Sequence, residues 1–164
     1  MDANTIKVGA LGGMLAGAMM AMFAMLAMWL DNVSDTGFWT PVNLIAHTFW
    51  RGAPLDDEFS VGGLILGVVV HMMMAMMLGA VIAVIVSRIP ALRANLGSRL
   101  ATGVGAGLMV WVVMQYILWP LVDESAVDAF TPWIFAVSHV VFGMALAATL
   151  HAVSRTGTRD AATA

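Results

Sequence analysis

Four apolar stretches, at about 8–30, 61–87, 99–120 and 131–153, constrain this chain more than any other feature. A bilayer crossing needs about 20 predominantly apolar residues, and each stretch reaches that length. Within hydrocarbon the backbone must satisfy its own N–H and C=O groups, so each stretch is read as a spanning helix. The expected fold class is all-α: a polytopic membrane protein with four transmembrane helices in one membrane domain, 1–164. Composition agrees, with 61% hydrophobic residues, 10% charged residues and a mean hydropathy of +0.91. The first stretch is longer than the roughly 7–15 apolar residues of a signal peptide, so it is expected to be retained.

Charge excludes some functions and orients the spans. A net charge of −3 without a basic run carries no electrostatic footprint for nucleic acid. With no cysteine, disulfides, thiolate zinc sites, iron–sulfur clusters and cysteine nucleophiles are excluded. Lys7, Arg88, Arg93, Arg99, Arg155 and Arg159 fall at the N-terminus, in the second connection and at the C-terminus; only Arg51 lies in the other two connections. The positive-inside rule then places both termini in the cytoplasm, with the chain expected in the plasma (inner) membrane. Asp31, Asp35, Asp56, Asp57, Glu58, Asp123, Glu124 and Asp128 occupy the outer connections, leaving Asp2 and Asp160 inside. All six tryptophans lie in or near the outer half, which is where a specialised site is expected.

The first outer connection, 31–60, is long for a bundle linker. Its segment TPVNLIAHTFW, residues 40–50, opens with Thr40 as an N-cap and Pro41 at the first helical position. The run is too short to span, which predicts an interfacial or re-entrant helix at about 41–50. Asn43 and His47 are four apart and share one face of it. The Asp56, Asp57, Glu58 cluster lacks the spacing of a cation loop and is read as solvated.

Two shifts suggest an internal helix-pair repeat. A shift of 90 matches Gly13, Ala16, Gly17, Met19 and Trp29 with Gly103, Ala106, Gly107, Met109 and Trp119. A shift of 68 matches Val69, His71, Met76, Leu78 and Ala80 with Val137, His139, Met144, Leu146 and Ala148. Small residues also repeat at four-residue spacing: Gly9, Gly13 and Gly17; Gly63 and Gly67; Gly103 and Gly107. Such rows allow close helix contact. His71 continues the Gly63, Gly67 row and His139 precedes Gly143 by four, so both imidazoles are expected to face the bundle interior. Gln115 is a candidate for the same polar layer. His151 is about 120° around the helix from His139 and is assigned to neither site.

Two facing imidazoles have three readings. They hydrogen-bond locally and specify packing; they ligate a haem b or copper for electron transfer in the outer leaflet; or they line a small-molecule path. In the metal reading His47, Met72 and Met76 are further candidate ligands. The Met72/Met76 and Met73/Met77 pairs resemble the MxxxM pore motif of eukaryotic copper transporters. The chain departs from that family in having four spans and no Met-rich tail, and its scattered methionines suit adaptable packing. No serine sits in a GxSxG elbow, the glycines lie inside spans and not in a phosphate loop, and no catalytic residue is assigned.

NLIAHTFWRGAPLDDEFS followed by LGVVVHMMMAMMLG, from Asn43 to Gly79, resembles a pattern in small four-helix bacterial integral membrane proteins: a Gly-rich first helix, an outer Asn-x-x-x-His element and a His before a small-residue helix. The resemblance implies membrane placement and a joint role for Asn43, His47 and His71, and no particular activity. The expected function is a non-enzymatic accessory or assembly subunit in the lipid bilayer, partnered by copies of itself or a larger membrane complex. A haem or copper electron-transfer protein and a small-molecule or metal-ion transporter are the alternatives.

Overall fold

The computed structural model describes residues 3–31 and 36–163, with side chains described as far as Ser154. Asp2 and Asp35 lie outside the described residues, and the side chains of Arg155, Arg159 and Asp160 outside the described side chains. All regular elements among the described residues are helical. They are α1 (Ala3–Asp31), α2 (Thr40–His47), α3 (Val61–Arg88), a 3-10 turn at Pro90–Arg93, α4 (Leu96–Val113), a π turn (Met114–Leu118), α5 (Trp119–Val122), α6 (Glu124–Ala129) and α7 (Pro132–Thr163). Four segments are long and apolar enough to cross a membrane: α1, α3, Leu96–Val122 and Pro132–Ser154.

Local chemistry sets where these helices begin. Ser60 caps α3 by accepting from the Gly63 N–H at 3.1 Å, and Asn95 caps α4 by accepting from the Ser98 N–H at 2.9 Å. The expected cap at Thr40 is different. Thr40 is the first helical residue of α2, and its hydroxyl accepts the Gly37 N–H at 2.8 Å, so it ties down the incoming chain. The helix ends at His47 and not at 50, because Phe49 and Trp50 both turn back to the Ala46 carbonyl.

Packing places the helices in the order α3, α1, α7, α4. Glycine governs both outer seams. A Cβ at Gly9 would lie 2.6 Å from the Ala83 Cβ and 2.7 Å from the Gly79 carbonyl oxygen; one at Gly13 would lie 2.9 Å from the Gly79 Cα. Across the other seam a Cβ at Gly103 would come within 2.9 Å of the Gly143 carbonyl carbon, and one at Gly143 within 2.9 Å of the Val104 nitrogen. The middle seam is looser, with Gly12 facing Leu146 at 3.2 Å. By contrast α4 barely touches α3. The two glycine seams correspond under the shifts of 90 and 68, whereas the cross-contacts do not, since α1 packs along α7 while α4 and α3 part.

The bundle has a loop end, which carries α2, α5 and α6, and an opposite, terminal end. At the loop end Met28, Leu44, Trp119, Phe130, Ile134 and Phe135 form an aromatic-rich core. The Phe135 ring lies 5.0 Å from that of Trp119 and 4.9 Å from that of Phe130. A second core nearer the terminal end comprises Ala16, Ala75, Ile82, Val86, Phe142 and Leu146.

Candidate functional site

The loop end concentrates the buried polar chemistry, and α2 organises it. This eight-residue helix is too short to be stable alone, yet Thr40, Asn43, Leu44 and Ala46 are almost completely buried. The α2 backbone lies against α3 where glycines admit it: a Cβ at Gly67 would lie 3.0 Å from the Val42 carbonyl carbon, and one at Gly63 2.7 Å from Asn43 Oδ1. Gly67 is six residues into α3, so α2 sits about 9 Å below the start of that helix.

The two α2 residues singled out by spacing, Asn43 and His47, both point inward and hold different partners. Asn43 donates through Nδ2 to the carbonyls of Asp56 at 3.2 Å and Glu58 at 2.8 Å. The acidic cluster is folded onto α2 by its backbone, while the Asp57 carboxylate accepts the Trp39 N–H at 2.6 Å. Replacing Asn43 by leucine leaves those two carbonyls without their donor and is expected to cost about 1–3 kcal/mol. The measurement is thermal unfolding in detergent, together with faster amide exchange over 55–60.

His47 donates through Nδ1 to Asp123 Oδ2 at 2.7 Å, and Arg51 Nη1 lies 2.5 Å from Oδ1 of the same carboxylate. Oδ1 also accepts the Ala126 N–H at 3.3 Å, which makes Asp123 the N-cap of α6. Arg51 donates a further hydrogen bond to the Val122 carbonyl. Burial pushes the Asp123 carboxyl upward, but the hydrogen bonds from His47 and Arg51 outweigh it and hold the group below the ordinary carboxylate value. Nearby, Trp119 Nε1 donates to the Thr48 hydroxyl at 3.1 Å. Asp123 and Arg51 were not among the residues expected to matter. The available signal was the four-residue spacing of His47 and Arg51, the one basic residue of the first and third connections; its partner lies 76 positions from His47 and carries no local mark.

The two histidines of the long apolar helices are arranged differently from one another. His71 donates through Nε2 across the α1–α3 seam to the Gly17 carbonyl at 2.9 Å. His139 donates through Nδ1 to the carbonyl of Phe135, one turn back on its own helix, at 2.9 Å, and sits edge-on to the Phe135 ring. The repeat-equivalent pairs Gly17/His71 and Gly107/His139 both lie in glycine seams, as a Cβ at Gly107 would lie 3.0 Å from the His139 carbonyl carbon. The glycines there make room for neighbouring backbone, not for a macrocycle, and the two seams lie on opposite sides of the α1–α7 contact. These residues do not fit a haem held between the two rings.

The other expected members of a site are dispersed. His47 is engaged by Asp123 at the loop end, while Met76 is 36% exposed on the outside of α3 and Met72 is half-buried. Among the described residues no three histidine or carboxylate side chains converge as a metal site. Gln115 is buried within the π turn, two turns of α4 beyond Gly107 and so about 12 Å along the helix from the His139 level. Its Oε1 and the Trp111 Nε1 are buried without a partner among the described protein atoms. His151 Nδ1 is likewise buried near the terminal end.

What this arrangement does chemically is to clamp. Asp123 joins the segment after α2, the end of α5 and the start of α6 through one buried carboxylate, and Asn43 secures the return to α3. No protein-family model matches the chain, and neither does any curated protein or solved structure compared with it.

Proposed function

We propose that this chain is a small integral membrane subunit, inserted with both termini cytoplasmic, that assembles through the exposed face of α4 with copies of itself or with a helix of a larger membrane complex. Support for the orientation comes from Lys7, Arg88, Arg93 and Arg99, which all lie at the terminal end. One observation carries the assembly. Gly97, Ala101 and Gly105 form a small-residue row on α4 at four-residue spacing, and all three are exposed. A Cβ at Gly105 would meet nothing within 4 Å.

The row matters because of what the same spacing does elsewhere in the molecule. Gly9, Gly13 and Gly17 are closed against α3, Gly63 and Gly67 against α2, and Gly103 and Gly107 against α7. An exposed glycine inside a helix costs roughly 1 kcal/mol relative to alanine, so two of them on an open face call for a packing reason. In lipid, helix association relies on van der Waals fit at small residues, which this face offers.

Gentle extraction is expected to recover a defined oligomer or a stable larger complex by native mass spectrometry. Gly105→Ile should dissociate it while shifting protomer unfolding by no more than about 0.5 kcal/mol, as for a surface change. A native species that is strictly monomeric, or a Gly105→Ile protein that assembles like the parent, would overturn the proposal.

A further inference from the structure

The terminal end holds a second feature that helix assembly does not use. Where α3 and α4 part, a shallow apolar crevice opens between Ile82 and Val86 of α3, Gly103 of α4, and Leu146 and Leu150 of α7, with Arg99 among its lining residues. Arg99 is fixed there by three acceptors. Its Nη1 donates to the Leu150 carbonyl and the Ser154 hydroxyl, each at 3.1 Å, and its Nε to the Arg93 carbonyl at 3.4 Å. The guanidinium is thereby held at the boundary between the apolar crevice and the polar turn.

Two more cations lie on the turn that joins α3 to α4. Arg88 ends α3 and Arg93 ends the 3-10 turn, and both are exposed beside the exposed apolar side chains of Ile89 and Leu96. No carboxylate occurs in the sequence between Glu58 and Asp123, and both described ion pairs belong to Asp123. Arg99 lines the crevice, Arg88 follows its lining residue Val86 by two positions, and the Arg93 carbonyl holds Arg99, so three arginines belong to this corner without a described acidic partner. Guanidinium forks match phosphate oxygens, whereas a hydrocarbon chain is what an apolar flank between two spanning helices accepts.

We propose that this corner is a binding site for an anionic phospholipid, its phosphate on Arg88, Arg93 and Arg99 and an acyl chain along the crevice between α3, α4 and α7. The site rests on the membrane reading above, which sets the terminal end at headgroup level. Charge complementarity selects an anionic headgroup over a zwitterionic one, and basic pockets between helices on the cytoplasmic side suit such lipids. Phosphate alone could use the arginines but would leave the apolar wall unused.

The test uses purified full-length protein, native mass spectrometry and three probes: phosphatidylglycerol, phosphatidylcholine with the same chains, and glycerol 3-phosphate. Phosphatidylglycerol should be retained at least tenfold more strongly than phosphatidylcholine. The Arg88→Gln, Arg93→Gln double variant should fall to the phosphatidylcholine level with an unchanged unfolding temperature, because both side chains are exposed. Equal retention of the two lipids, undiminished phosphatidylglycerol binding by the double variant, or displacement of the lipid by glycerol 3-phosphate at equal concentration would each overturn the site, the last assigning it to a free anion. A C-terminal tag accessible from outside intact cells would overturn the membrane orientation itself; a cytoplasmic tag with equal lipid retention would overturn only the lipid site.

Discussion

Gly143→Val is expected to be the most damaging single substitution in the bundle, lowering stability by about 3 kcal/mol or more and detaching α4 from α7. The nearest obstacles to a new side chain are main-chain atoms: the Gly103 carbonyl oxygen first, then its carbon at 2.5 Å and the Val104 nitrogen at 2.9 Å from the first added carbon. Backbone cannot rotate away as a side chain does, so the helices must separate. Overpacking of a closed core already costs about 1–3 kcal/mol, and valine adds two further methyls along a seam lined on both sides by helix. Thermal unfolding followed by tryptophan fluorescence measures the loss, because Trp111 and Trp119 report on α4 and α5. Gly105→Val on the open face of the same helix provides the comparison. It should leave protomer stability nearly unchanged, and equal damage from the two substitutions would show that helix propensity, not the seam, is responsible.

Asp123→Ala is expected to cost about 3 kcal/mol, in keeping with removal of one partner from a buried ion pair. His47 loses the acceptor of its Nδ1–H, Arg51 its carboxylate and α6 its cap. Arg51 is about half exposed and water will partly re-solvate it, so most of the cost falls on His47 and the α6 cap. The same carboxylate predicts a pH dependence. Its native pKa lies below the unfolded one, which is about 3.9, so the folded state binds the proton less readily. The stabilisation is fully present above that unfolded value and disappears as the pH falls through the native pKa. An acid titration of the unfolding temperature should therefore steepen below about pH 4 in the parent and flatten in Asp123→Ala. A parent and variant with superimposable acid profiles would exclude Asp123 as the group responsible.

The parts of the fold visible in the sequence are those governed by local rules. The four long apolar helices follow from hydropathy and length alone, and their bounds shift by only a few residues except at α7, which runs on to Thr163. The close seams follow from glycine spacing at 9, 13, 17 and at 103, 107. What those glycines admit was not legible: Gly67 receives the main chain of α2, a helix from another part of the sequence. The π turn at Met114–Leu118 also carries no composition mark.

For the site, the inward face of α2 was readable from the spacing of Asn43 and His47, but their partners were not. Asp123 looks like any acidic residue at a helix boundary until the fold carries it to His47. The row of Gly97, Ala101 and Gly105 is hidden for a simpler reason: the apolar stretch begins at 99, which divides the row, whereas Asn95 starts the helix a turn earlier. For His71 and His139, spacing placed both in glycine seams but did not reveal the hydrogen-bond acceptor of either. Both residues occupy equivalent places on their helices, yet each turns to a carbonyl in its own seam.

The helix order α3, α1, α7, α4 also bears on how the chain is made. When α4 leaves the ribosome, α1 and α3 can already pair through their glycines, but α4 has almost no contact with either of them. Its seam partner is α7, which is synthesised after it and which must also dock on α1. A nascent chain halted after Val122 would therefore hold one finished hairpin and one solitary helix, and synthesis of α7 is the step that turns them into a bundle.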